Sequence, residues 1–163
     1  MKTKFELDQK KKIKRILIVF ITLLLLSGIT AFPIEIELQL LQNIAIKSPN
    51  VLSEWITTVY NAISITNNSF PYLSYGTDWL AFAHIVIAGM FIGPLKDPIK
   101  NIWIIQFGIV ACIMVIPTAF LCGYIRHIPF YWQLIDCSFG VFGMIPLIIC
   151  KKKITILENL KIK

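Results

Sequence analysis

Four apolar runs, at residues 16–33, 78–95, 102–122 and 134–150, restrict this chain more than any other feature. A run such as 78–95 makes about 27 Å of helix at about 1.5 Å per residue, close to a hydrocarbon core of about 30 Å. Backbone inside lipid must satisfy its own hydrogen bonds, so runs of this length predict membrane-crossing helices. Composition agrees, since 56% of the 163 residues are apolar and 15% charged and the mean hydropathy is +0.73, too apolar for an ordinary soluble domain. The expected fold is all-α: an integral membrane four-helix bundle forming a single domain over 1–163, with one or two short amphipathic helices in an external segment at 34–77.

Basic residues set the threading. Lys10, Lys11, Lys12, Lys14 and Arg15 precede the first run, Lys96 and Lys100 fill the turn between the second and third, and Lys151, Lys152 and Lys153 follow the fourth. All but Lys47 and Arg126 of the 16 lysines and arginines therefore fall on one side. By the positive-inside rule that side is the cytoplasm, which makes both termini cytoplasmic and the location the cytoplasmic (inner) membrane. The net charge of +7 then reflects topology and contact with anionic membrane lipids, and no nucleic-acid partner is expected. The first run resembles a signal peptide in its basic start, but its apolar stretch is long and Ile29 suits a cleavage site poorly, so an uncleaved anchor is expected.

Between the first and second spans, Ile36, Leu40 and Ile44, then Leu52, Trp55, Ile56, Val59 and Ile63, recur at helical spacing. Ser48, Pro49 and Asn50 break the pattern, and Ser48 or Asn50 can cap the second helix. Asn67 to Pro71 reads as a turn. The second span is expected to begin at Asp78, with Thr77 as N-cap, and to stop at Pro94 and Pro98. Pro117 should kink the third span, and the tail after Cys150 reads as a short basic segment lying along the leaflet.

The scarce ionisable groups of the spans are the candidate site. In the four-span topology Asp78, Arg126, His127 and Asp136 lie at or near the outer face, with His84 beneath them. One reading is a polar pocket in which Arg126, His84 and Asp136 bind a ligand, Arg126 holding an anion such as a lipid phosphate, while His84 with Asp136 or Asp78 moves protons. The other is structural: Arg126 pairs with Asp136 and Asp78 caps a helix. Asp78 and His84 stand about 120° apart around their helix and should not touch. Gly140 and Gly143 share a face with Asp136 and permit close helix contact.

Cys112, Cys122, Cys137 and Cys150 lack metal-ligand spacing, so no metal and no cofactor is expected, although Cys122 and Cys137 lie at comparable depth for a disulfide. There is no zinc-hydrolase motif, phosphate-binding glycine loop or nucleophile elbow.

The segment Asp78-Trp79-Leu80-Ala81-Phe82-Ala83-His84, followed by Arg126, Asp136, Gly140 and Gly143, resembles the VanZ-like family of small four-helix bacterial membrane proteins. That resemblance implies an envelope location and implicates Asp78, His84, Arg126, Asp136, Gly140 and Gly143. It departs from the family in the spacing of the histidine and in the segment Phe120-Leu121-Cys122-Gly123-Tyr124 before the arginine. Two functions are carried forward. The first is a non-enzymatic envelope accessory that binds a lipid or small molecule, or a subunit of a membrane complex or homo-oligomer. The alternative is a membrane-embedded enzyme acting on a lipid-linked or amphiphilic substrate at the outer leaflet.

Overall fold

A computed structural model describes residues 2–162 of the chain. They form seven α-helices: α1 (Lys2–Ala31), α2 (Ile34–Ala45), α3 (Val51–Ser69), α4 (Tyr75–Met90), α5 (Ile92–Lys96), α6 (Ile102–Ile125) and α7 (Phe130–Ile162), with a single 3-10 turn (Pro71–Leu73) before α4. There is no strand among the described residues. Four helical stretches, Lys4–Ala31, Pro71–Lys96, Ile102–Ile125 and Phe130–Leu160, are long and apolar enough to cross a membrane. The chain is thus all-α, with the helices of an integral membrane protein. It divides into two compact units, one made of the residues up to 22 and from 89 onward, the other of residues 23–88.

In the first unit, α6 and α7 run antiparallel along a seam of small side chains. A Cβ built on Gly140 would stand 2.5 Å from the Cys112 carbonyl oxygen, and one on Gly143 3.2 Å from Cys112 Sγ. Gly108 meets Leu147 in the same way. These glycines let two backbones nearly touch, as the sequence predicted for Gly140 and Gly143. The Cys137 thiol of α7 lies 4.0 Å from the Ile116 carbonyl of α6. All four cysteines are free, so Cys122 and Cys137 form no disulfide. Pro117 stays inside α6, where it deprives the Ile113 carbonyl of its helical donor.

The early part of α1 belongs to this unit and lies antiparallel to the late part of α7. Lys153 Nζ donates to Gln9 Oε1 over 3.2 Å, and ten residues back along α7 a Cβ on Gly143 would come within 4.0 Å of the Phe20 ring. Ile13 and Leu17 of α1 and Leu147, Cys150, Ile154 and Leu157 of α7 are buried. This corrects the leaflet-hugging tail: Cys150, Ile154 and Leu157 continue one helical face past the lysines, no glycine or proline interrupts them, and α7 runs on unbroken to Ile162.

The second span is also corrected. It is a helix in two pieces, broken at Phe91, because Pro94 has no N–H to offer the Met90 carbonyl and the pattern must restart one turn earlier. Phe91 is buried, its ring edge-on to Phe20 at 4.8 Å and over Gly108. In the basic turn that follows, Asp97 Oδ1 accepts from the backbone N–H groups of Ile99 and Lys100, both over 3.2 Å. The Asn101 amide donates to the Gly93 and Asp97 carbonyls. These bonds close the turn, and α6 follows with Asn101 at its N-cap position.

In the second unit, α2 and α3 pack as a helical hairpin. Of the two caps that the sequence offers, Asn50 is used: its Oδ1 accepts from the Ser53 N–H over 2.9 Å while Ser53 Oγ accepts from the Asn50 N–H over 2.8 Å. The predicted turn at 67–71 gives way to helix as far as Ser69. Asn68 bonds back to the Ser64 carbonyl, and the Asn67 amide donates to Glu35 of α2 while its oxygen accepts from Ser74. The start of α4 is earlier than predicted too. The Ser74 carbonyl accepts from the Thr77 and Asp78 N–H groups, so the helix begins at Tyr75 and Thr77 lies inside it rather than capping it. Gly28 packs the late part of α1 onto α4, where an added Cβ would stand 2.9 Å from the Ala81 carbonyl.

Candidate functional site

The α6–α7 corner is built around a helix end that the sequence does not advertise. At the C-terminus of α6 the Ile128 N–H reaches the Gly123 carbonyl (2.9 Å) and the His127 N–H reaches that of Tyr124 (3.3 Å), the paired bonds of a Schellman close. His127 takes the left-handed backbone position with φ 54°, a place that glycine usually fills. Gln133, buried at the start of α7, spreads its side chain across Gly123 and donates to the Ile128 carbonyl over 2.7 Å. Arg126 is the capping residue of this close, so its backbone is held from both sides.

Beside the corner lies a groove of about 530 Å³. Its wall is one face of α6, where Ala111, Val115, Thr118 and Ala119 line it, and its charged lining residues are Arg126 and Asp136. The Thr118 hydroxyl donates to the Met114 carbonyl over 2.7 Å, so its polarity is spent within the helix and the wall is apolar towards an occupant. The groove is a greasy surface with a cation at the C-terminal end of α6 and a carboxylate supplied by α7.

Arg126 and Asp136 therefore line one groove. They do not form the lock of the structural reading: among the described residues no nitrogen of Arg126 comes within 4.0 Å of an Asp136 oxygen, whereas Lys12 and Asp8 on α1 pair at 2.7 Å. The guanidinium is exposed at the groove rim and available to an anion.

Asp78 and His84 belong to the other unit. Asp78 is half-buried in the first turn of α4. His84 Nδ1 lies 2.9 Å from the Leu80 carbonyl, a contact in which the ring nitrogen must donate, and its Cβ is one of the atoms that an added Cβ on Gly28 would meet. The sequence reading missed Gln133, Thr118 and the small-residue face of α6. Ala111, Val115, Thr118, Ala119 and Cys122 recur at three- and four-residue spacing, and that periodicity was the available signal. Gln133 offered none beyond its place after Pro129.

Compared with known proteins, the chain matches no family model, no curated protein and no solved structure.

Proposed function

We propose that this protein is a non-enzymatic, lipid-binding component of the cytoplasmic membrane, with both termini in the cytoplasm and the Arg126 end of the α6–α7 pair at the outer leaflet. The segregation of the basic residues supports the orientation, and the VanZ-like resemblance at Asp78, His84, Arg126, Asp136, Gly140 and Gly143 supports an envelope role. In this orientation α2 and α3 are external. The apolar stripe of α2, with Ile36, Leu40 and Ile44 each at least 60% exposed, rests on the outer leaflet.

One observation carries the function: an apolar helix face that leads directly to an exposed guanidinium. Acyl chain lies along Ala111, Val115 and Ala119, and a phosphate or other anionic headgroup meets Arg126 in a charge-assisted hydrogen bond. Asp136, which lines the same groove from α7, receives a hydroxyl or ammonium of the ligand and discourages groups that carry only negative charge. Native mass spectrometry of the detergent-purified protein tests this. Arg126→Gln should lose co-purifying anionic amphiphile by about tenfold or more, with helix content unchanged. An identical lipid complement in wild type and variant would refute the assignment.

A further inference from the structure

A second groove lies at the opposite end of the same helix pair, where the apolar part of α7 meets its lysines. It measures about 680 Å³ and is lined by Ile109 of α6 and by Ile148, Lys151, Lys152, Thr155 and Ile156 of α7. We infer that it is a binding site for a phospholipid with an anionic headgroup, the phosphodiester held between Lys151 and Lys152 and an acyl chain laid over Ile109 and Ile148.

Three observations lead there. The lysines are divided in their work: Lys153 turns to Gln9 and is committed to the α1–α7 contact, while Lys151 and Lys152 are exposed and, among the described residues, have no carboxylate within 4.0 Å. No acid lines the groove, Glu158 of the same helix lying outside it, so its only formal charges are the two ammonium groups. Thr155 bonds its hydroxyl to the Lys151 carbonyl over 3.1 Å, which leaves the groove apolar apart from those two cations. Charge and greasiness are thus arranged end to end, with Ile109 and Ile148 on the membrane side of the lysines. A soluble polyanion would use the ammonium groups and leave the isoleucines bare. An anionic phospholipid uses both, as basic pockets between membrane helices do.

The inference rests on α6 and α7 crossing the membrane, and not on the Arg126 site or on which face is cytoplasmic. The full-length protein, purified in detergent and titrated with phosphatidylglycerol and phosphatidylcholine under native mass spectrometry, is expected to prefer phosphatidylglycerol. The double variant Lys151→Gln, Lys152→Gln should lose that preference by about tenfold or more. Lys10→Gln with Lys11→Gln, which removes two exposed cations of α1, should keep it, and the Lys151/Lys152 loss should recur in an Arg126→Gln background, where the outer site is absent, so failure here and failure of the outer site are separable. Ile109→Trp fills the groove without altering charge and should also reduce binding, which guards against misfolding of the lysine variant. A preference untouched by the Lys151/Lys152 variant, or lost equally in the Lys10/Lys11 variant, would overturn the inference in favour of diffuse attraction.

Discussion

Gly140 shows how one hydrogen in place of a methyl can set a helix pair. Its α-carbon faces the backbone oxygen of Cys112, and the 2.5 Å left for a Cβ can be relieved only by moving a helix. Gly140→Ala should therefore lower stability by about 1–3 kcal/mol, the usual range for overpacking. Gly143→Ala meets the Cys112 sulfur at 3.2 Å, and a rotatable side chain can yield, so its cost should be clearly smaller. Thermal unfolding of both variants in one detergent checks the order, and equal losses would contradict it. The pair was legible in the sequence because small residues beside an aspartate stand out in a greasy helix. The cap at His127 was not, since a histidine gives no hint that it occupies glycine's conformation. Arg126 and Asp136 were half legible: that two successive helices would set them along one groove could be read, but the absence of an ion pair depends on rotamers that periodicity does not encode.

Among elements, the α2–α3 hairpin depends on a polar clasp. The Asn67 amide, and after it Ser64, hold the Glu35 carboxyl below its ordinary value of 4.5. Because the folded value is the lowered one, the clasp contributes in full above the ordinary glutamate range and fades as pH falls through the lowered value. Amide hydrogen exchange in α2, corrected for intrinsic rates, should rise on acidification from about pH 6 to about pH 3, and Glu35→Gln should flatten that response. A wild type as flat as the variant would show that Glu35 does not hold the hairpin. Both helices were readable from their apolar spacing and the Asn50 cap. Their ends were less so, because Asn67 and Asn68 carry turn-forming side chains that here bond to Glu35 and to the helix itself. The same limit applies to α4 and α5, where the proline was visible but the break it causes falls three residues before it. The extension of α7 could have been read, since Cys150, Ile154 and Leu157 repeat the buried face, but the triple lysine masked it.

For the molecule as a whole, the four helices long enough to cross a membrane follow from apolar length, a property that does not depend on where each helix starts or stops. The proposed threading makes a plain demand: reporter fusions at the turn around Lys96 and Lys100 should respond as cytoplasmic, and fusions near Arg126 as external. Reversal of both would move the Arg126 groove to the inner leaflet and end its proposed role, while leaving the two grooves themselves intact. Between those grooves the main chains of α6 and α7 are in near contact at Cys112 and Gly140, and both grooves lie open along the side. If both take amphiphiles as proposed, neither encloses a tail, so selection falls to the charged residues, by the chemistry of the polar head, with tails of different lengths admitted alike.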